Sequence, residues 1–336
     1  MPRIGINPSR NQNVSYSPPR VTVAVLVYAP HQAGYFQHRM DVTRLTLESI
    51  LTNTEKPYEL LVFDNGSCPE MVAYLQGLFA QGKIDRLVLS AQNIGKLNAL
   101  YRIAQLASGS VIAYSDDDVY HLKGWLPAHL EVLDTFPNVG AVTGFYIRQR
   151  VVMSSDSTLA WAKSSADAVE RGLLMPRKWE IEYMDNSGRT EERYQSEVAG
   201  VEDVVVSYHG LKAWVSAHHF EMLAPKKVLL EVLGEMLVEG WSDQLMGRMV
   251  EMDDRMDAKG YLRLTTYAQT MRLLGNALDE EVAALAARDG IHAEAAASAK
   301  PRSGLLRRIT GNRKIRNGIQ GLINWLYGLL HQSGRE

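Results

Sequence analysis

Ser110-Val111-Ile112-Ala113-Tyr114-Ser115-Asp116-Asp117-Asp118-Val119 is the stretch that decides the reading of this chain. A short apolar, β-branched run follows Ser108-Gly109 and ends in three consecutive carboxylates, the pattern of a buried strand with an acidic C-terminal end. Carboxylates this close repel one another, so the cluster is costly unless a cation neutralises it. Oxygen-only ligands suit a hard divalent ion such as Mg2+ or Mn2+, which keeps positions open for substrate phosphates. If the strand runs through the triplet, Asp116 and Asp118 point to the same side. An arbitrary Asp-Asp-Asp is more often a solvated acidic turn. Here the strand in front of it and the motifs upstream favour a site.

Upstream, strand and helix patterns alternate. Val21 to Val27 is a near-continuous apolar strand of the buried parallel type. Asp41 to Asn53 carries Val42, Leu45, Leu47, Ile50 and Leu51 at helical spacing, and Glu59 to Phe63 is a second strand ending in Asp64-Asn65-Gly66-Ser67. Glu70 to Phe79 reads as a helix, Arg86 to Leu89 as a strand, and Leu97 to Leu106 as the helix before the triplet strand. Such alternation predicts a parallel sheet with ligands at the C-terminal ends of its strands, where these polar motifs fall.

Taken in order, Val21–Val27, Phe63-Asp64-Asn65-Gly66-Ser67, Asn93-Ile94-Gly95-Lys96-Leu97-Asn98-Ala99 and Ser115-Asp116-Asp117-Asp118 resemble the family 2 type of GT-A glycosyltransferase, over about residues 21 to 275. The resemblance implies an α/β fold of the GT-A kind: a Rossmann-like, mostly parallel sheet with flanking helices, plus a C-terminal helical tail. It divides the chain into a disordered arm (1–20), a GT-A domain (21–276) and a helical linker with a basic amphipathic helix (277–336). Within the domain the nucleotide-binding half covers about 21–120 and the acceptor half about 121–276. The implied activity is a metal-dependent, hexosyltransferase-like transfer. A sugar would move from a UDP-, GDP- or dTDP-linked donor to a hydroxyl of a glycan or glycolipid, with inversion and with Mn2+ or Mg2+ as cofactor.

Carried onto this sequence, the resemblance places the metal on Asp116 and Asp118 and lines the nucleotide site with Tyr28, Asp64, Asn93, Lys96 and Asp117. Each position has a plainer alternative. Asp64 can accept bonds from a base or ribose, or only shape an Asp-Asn-Gly-Ser turn. Gly95 and Lys96 suit phosphate at a helix start, while Asn93 suits an ordinary N-cap. Gly240-Trp241-Ser242-Asp243-Gln244-Leu245 stands where the family places an acidic pair at a helix start. Asp243 matches the catalytic second position, and Ser242 replaces the first acid. Asp243 would take the acceptor's proton, or else Ser242 or Asp243 merely caps a helix running through Arg248 and Met249. A histidine that many relatives use as a further metal ligand is missing from Thr270 to Asn276. Arg272 facing the diphosphate, one of His218 and His219 as a ligand, or water are the substitutes, although adjacent strand residues cannot both line one site and a buried structural histidine is the commoner outcome.

The rest of the second half says less. Trp214 to Leu223 reads as one strand, Lys226 to Met236 as a helix, and Glu180 to Gly200 as a charged loop or hairpin. Trp161, Trp179 and Trp214 are read as core residues or as a sugar-stacking platform. Two rivals stand beside the transferase. A nucleotidyltransferase acting on sugar phosphates would show a Gly-rich basic loop after the first strand, which Val27-Tyr28-Ala29-Pro30-His31 does not. A non-catalytic scaffold that keeps the fold and binds glycan or membrane is the other.

The chain is 336 residues long and 46% hydrophobic, enough for a full core. Its one cysteine, Cys68, excludes an intrachain disulfide and fits a reducing, cytoplasmic setting. Residues 1–20 lack the apolar core of a signal peptide. From Lys300 to Arg335 there are eight cations and no acid; subtracting them from the net charge of -2 leaves about -10 for the remainder. Ile315, Ile319, Leu322, Ile323, Leu326, Leu329 and Leu330 share one helical face, with Trp325 and Tyr327 beside it. That pattern predicts either docking of residues 302–331 on the anionic inner face of a membrane or packing on the protein itself. Nothing resembles a base-reading module, so no nucleic-acid partner is expected.

Overall fold

The computed structural model describes residues 5–238 and 240–291. Its first half is β1 (Val21–Val27), α1 (Arg39–Asn53), β2 (Glu59–Asp64), α2 (Pro69–Ala80), β3 (Arg86–Leu89), α3 (Lys96–Leu106) and β4 (Val111–Asp116). Every residue of β1 and β2 is buried, as apolar runs covered on both faces require. Proline at the first position of α2 fixes φ where no amide partner is needed. The apolar stripe Leu97, Leu100, Ile103 and Ala104 seats α3 against the sheet.

The second half is β5 (Val119–His121), α4 (Trp125–Thr135), β6 (Val139–Thr143), α5 (Asp156–Ser165), β7 (Ala168–Gly172), α6 (Arg177–Ser187), α7 (Glu191–Glu197), β8 (Asp203–Tyr208), β9 (Leu211–Val215), β10 (Glu221–Pro225), α8 (Lys226–Met236), α9 (Met249–Ala258), β11 (Leu262–Thr266), β12 (Met271–Leu273) and α10 (Glu280–Arg288).

Ten strands make one sheet in the order β3-β2-β1-β4-β10-β6-β11-β9-β8-β7. The pairs β3·β2, β2·β1, β1·β4 and β6·β11 are parallel, while β10, β9 and β7 run against the others. The chain winds outward from β1 to β3 and then returns to place β4 on the other side of β1. That reversal opens a crevice beyond the C-terminal ends of β1 and β4, the usual ligand position in such sheets.

Three expectations about elements change. Residues 214–223 are two strands, because β9 and β10 belong to different parts of the sheet and 216–220 crosses between them. Residues 180–200 are α6 and α7, held by the buried Arg148–Glu180 and Arg148–Asp203 pairs rather than left as a loop. Asp117 and Asp118 form a turn after β4, so strand alternation does not govern where they point. Beyond the sheet, Leu278 and the α10 residues Val282 and Ala286 pack on Val42, Leu45 and Tyr120. The amphipathic stripe 315–330 lies outside the described residues. Described from residue 5, the N-terminal arm is exposed through Pro18 and holds one 3-10 turn, Pro8–Asn11.

Candidate functional site

The carboxylate triplet is built against α1. Arg39, at the first position of that helix and only 6% exposed, donates from Nη1 to both Asp117 Oδ1 and Asp118 Oδ2 at 3.0 Å. One and two turns on, Thr43 donates to Asp117 Oδ2 at 3.2 Å and Thr46 to the Asp117 carbonyl at 3.0 Å. Positions 39, 43 and 46 are i, i+4 and i+7 of one helical face, so the whole cradle comes from one stripe. The Tyr28 amide, just past β1, adds a bond to Asp117 Oδ2 at 3.2 Å.

Asp116 has different partners. Lys96 Nζ, from the first position of α3, and the Tyr114 hydroxyl each donate to it at 2.6 Å. Burial, with the charge of Asp116, pushes the Tyr114 hydroxyl well above its ordinary pKa, so it stays a donor.

Three carboxylates thus share two cations, Arg39 and Lys96. Burial pushes the Asp117 carboxyl up to about 6 against the pull of Arg39, and Asp118 and Asp116 add repulsion. Burial raises Asp118 as well, Arg39 opposing and Asp116 adding. For Arg39, burial weakens the charge, but Asp117 and Asp118 outweigh it and the guanidinium ends above its usual value. The side chains of Asp116 and Asp118 remain 21% and 30% exposed, while that of Asp117 is 10% exposed. Uncompensated negative charge on two reachable carboxylates fits a divalent cation. Among the described residues no cluster of three His, Cys, Asp or Glu side chains is arranged around a metal position.

The loop after β2 meets the loop before α3. Asp64 Oδ2 accepts from the Gly66 and Ser67 amides at 3.3 and 3.2 Å, a turn held by the side chain. Its Oδ1 is buried with no partner, and burial raises the carboxyl above its ordinary pKa. Asn65 Nδ2 donates to Asn93 Oδ1 at 2.9 Å, Asn65 Oδ1 accepts from the Ile94 amide at 2.9 Å, and Asn93 Oδ1 also accepts from the Gly95 amide at 2.8 Å. The helix cap is Gly95, not Asn93; Asn93 ties the loops together. Gly66 permits this contact: at φ +85°, a Cβ there would lie 2.6 Å from the Gln92 carbonyl carbon.

Residues 241–247 lie across the start of α3. Asn98 Oδ1 accepts from the Ser242 amide and its Nδ2 donates to the Ser242 carbonyl, both at 2.9 Å, and the Lys96 amide donates to the Leu245 carbonyl at 2.7 Å. Between this segment and the Gln92–Gly95 loop is a cleft of about 480 Å³, lined by Asn93, Gly95, Asn98, Trp241, Ser242 and Asp243 among others. Asp243 is exposed to it, in irregular backbone. The expected helix through residues 242–249 begins only at Met249, capped by Arg248 with no side-chain bond, because the Asn98 and Lys96 bonds tie the preceding backbone to the start of α3.

The structure therefore gathers Tyr28, Asp116, Asp117, Asp118 and Lys96 around one crevice, and Asn93 and Asp243 around the adjoining cleft. Lys96 faces Asp116, where the sequence reading had it facing phosphate. Arg272 is held by Glu182 at 3.1 Å on the β12 side. His218 is bonded through both ring nitrogens to the Phe145 carbonyl and the Phe220 amide, and His219 through Nδ1 to Asp253. Trp179 and Trp214 are core residues, and Trp161 packs edge-on to Phe136 and Tyr208. The sequence reading missed Arg39, Thr43, Thr46, Tyr114 and Asn98. For the first three the signal was present, as polar residues at helical spacing on an otherwise apolar face.

Residues 38–184 match the model described as Glycosyl transferase family 2, a segment holding α1, Asp64, Asn93, Lys96 and the triplet. The architecture is accordingly the mixed α/β one of GT-A proteins, and the matched segment, a little under half of the chain, is similar to a glycosyltransferase family 2 domain. The mannosyltransferase PcManGT from Pyrobaculum calidifontis, solved with GDP-Man and Mn2+, is 18% identical with a TM-score of 0.43, over 76% of this chain and 56% of that one. S. aureus TarS 1-349 is 13% identical with a TM-score of 0.42, over 82% of this chain and 66% of that one. TarS 1-349 in complex with UDP-GlcNAc aligns at 13% identity and a TM-score of 0.41, over 75% and 58%. The chain thus spans less than two thirds of the length of these solved chains. No curated protein matches the sequence. Among the described residues no helix is long and apolar enough to cross a membrane.

Proposed function

We propose that the protein transfers a sugar from a nucleotide-sugar donor to a hydroxyl of a glycan or glycolipid, with Mn2+ or Mg2+ as cofactor. The observation that carries this reading is the triplet: three carboxylates at the β1/β4 switch point, short of one positive charge, within the segment that matches the family. Asp116 and Asp118 would hold the cation, which supplies Lewis-acid stabilisation of the departing nucleoside diphosphate. Arg39 keeps Asp117 and Asp118 together, and Lys96 with Tyr114 orients Asp116. Asp64 Oδ1, buried and without a partner, would accept from an N–H or O–H of the nucleoside. Asp243, exposed to the cleft beside Asn93, would accept the proton of the attacking hydroxyl, giving direct displacement with inversion.

A thermal-shift series on the full chain tests this, using UDP, GDP, dTDP and their sugars with and without Mn2+. At a hundredfold excess over Kd one ligand should stabilise by about 2.7 kcal/mol, and only with the cation. Asp118→Asn should remove that shift. A series in which no nucleotide moves the melting curve would refute the proposal. Ser242 in place of the first acid of the expected pair, with no histidine from Thr270 to Asn276, favours a second reading as a glycan-binding protein without turnover. Donor binding without transfer or hydrolysis would select it. Association of residues 302–331 with the anionic inner face of a membrane is proposed on sequence pattern alone, and sedimentation with anionic vesicles at rising salt tests it.

A further inference from the structure

Far from the triplet along the sheet, an exposed ring is backed by a column of buried ones. Tyr267 follows the last residue of β11 and remains 48% exposed. Trp214 stacks beneath it, with ring centroids 5.7 Å apart and planes 16° from parallel. Tyr146 stacks on Trp214 at 4.5 Å and 27°, and Trp179 closes the column edge-on at 6.0 Å. The column is fixed by polar handles: Trp214 Nε1 donates to the Tyr267 carbonyl at 2.9 Å, and the Tyr146 hydroxyl donates to buried Asp203 at 3.0 Å. A surface aromatic held this rigidly forfeits little rotamer freedom when something stacks on it.

Register places this ring relative to the chemistry. Leu264 pairs with Val142, Val142 with Leu223, and Leu223 with Ala113, so these four residues form one row across β11, β6, β10 and β4. Both β11 and β4 run in the same direction. Three residues further on, Tyr267 is level with Asp116, at the same edge of the sheet. The separation is three strand spacings, about 14 Å. The nucleotide-type loops lie on the opposite side of β4, at β1 and β2, so the ring stands toward the acceptor half.

We propose that Tyr267, backed by Trp214 and Tyr146, is a stacking platform for a hexose ring of an oligosaccharide, a subsite more than one sugar away from the point of transfer. This assignment to an acceptor rests on the transferase reading above. The apolar face of a pyranose matches a flat aromatic ring, and its hydroxyls need polar neighbours at the rim. Lys212, whose Nζ lies over the Tyr267 ring at 5.4 Å from its centre, and Glu170, paired with it at 2.7 Å, supply them once the lysine turns off the ring. An ion pair this exposed is weakly held, so both groups can turn to sugar hydroxyls.

The test is binding of the full chain to a printed array of defined neutral oligosaccharides, comparing wild type with Tyr267→Ala and Tyr267→Phe. Wild type should retain oligosaccharides longer than a disaccharide. Tyr267→Ala should weaken that retention at least tenfold, and Tyr267→Phe should preserve it, since the ring and not the hydroxyl does the stacking. The proposal is overturned if wild type retains no oligosaccharide, if Tyr267→Ala binds as wild type does, or if Tyr267→Phe loses as much as Tyr267→Ala. The nucleotide thermal-shift series run on the same proteins keeps the two readings apart. Glycan retention with no nucleotide shift removes the transferase reading and leaves the platform, while the reverse removes the platform alone.

Discussion

Buried His218 should make the protein lose stability in mild acid, by an amount that can be worked from its surroundings. Its Nε2 donates to the Phe145 carbonyl at 2.9 Å, and its Nδ1 accepts from the Phe220 amide at 3.2 Å. Those partners assign the neutral Nε2–H tautomer and leave no room for a second ring proton. Burial holds the pKa down to about 4 against the pull of Glu221, while the unfolded chain titrates near the ordinary 6.5. A base with a depressed folded pKa contributes its full stability above 6.5, loses it as pH falls, and stops losing it below about 4. At pH 5 the unfolded side gains about 1.5 units at 1.36 kcal/mol each, or roughly 2 kcal/mol, while the folded imidazole stays neutral. Other groups also titrate in this window, so the measurement is a difference. Urea unfolding of wild type and His218→Gln, between pH 8 and pH 5, isolates it. His218→Gln should be the less stable at pH 8, and the gap should narrow by about 2 kcal/mol on reaching pH 5. A gap that stays constant or widens would refute the neutral, buried imidazole. His121, which burial depresses to about 3, should add a similar loss in its own variant.

Arg39→Ala leaves Asp117 buried without its cation, so unfolding free energy should fall by about 3–5 kcal/mol at neutral pH, read by chemical denaturation; a loss under 1 kcal/mol would mean the threonines and the Tyr28 amide suffice. Gly66→Ala forces a Cβ to within 2.6 Å of the Gln92 backbone at a left-handed φ, so it should destabilise by about 1–3 kcal/mol and weaken nucleotide-induced thermal shifts more than Gly82→Ala, where a Cβ meets nothing. Asp243→Asn should lower kcat while leaving donor affinity unchanged, because a general base acts on the acceptor in the transition state; unchanged turnover would move the base elsewhere.

What the sequence made legible is the half in which local pattern and global fold agree. The apolar runs of β1, β2 and β4 are buried on both faces, so composition alone names those strands, and the polar residues that end them project from the sheet edge. The triplet, Asp64 and Asn93 were visible for that reason. Their partners were less so. Arg39 lies two residues ahead of the expected start of its helix, and a buried arginine looks like any helix-start charge until the carboxylates it neutralises are folded over it. In the second half the strands are short, and neighbours in the sheet are distant in sequence: β10 sits between β4 and β6, far from β9. A run such as Trp214 to Leu223 therefore carries no local mark of the crossing at Ser216, where φ is 134°. The same distance hides the aromatic column. Tyr146, Trp214 and Tyr267 come from three separate segments, and only the register of four strands brings Tyr267 level with Asp116. Core packing, one of the two readings given for the tryptophans, holds for Trp179 and Trp214. A tryptophan is large enough to serve the core, and here Trp214 holds in place the smaller ring that reaches solvent.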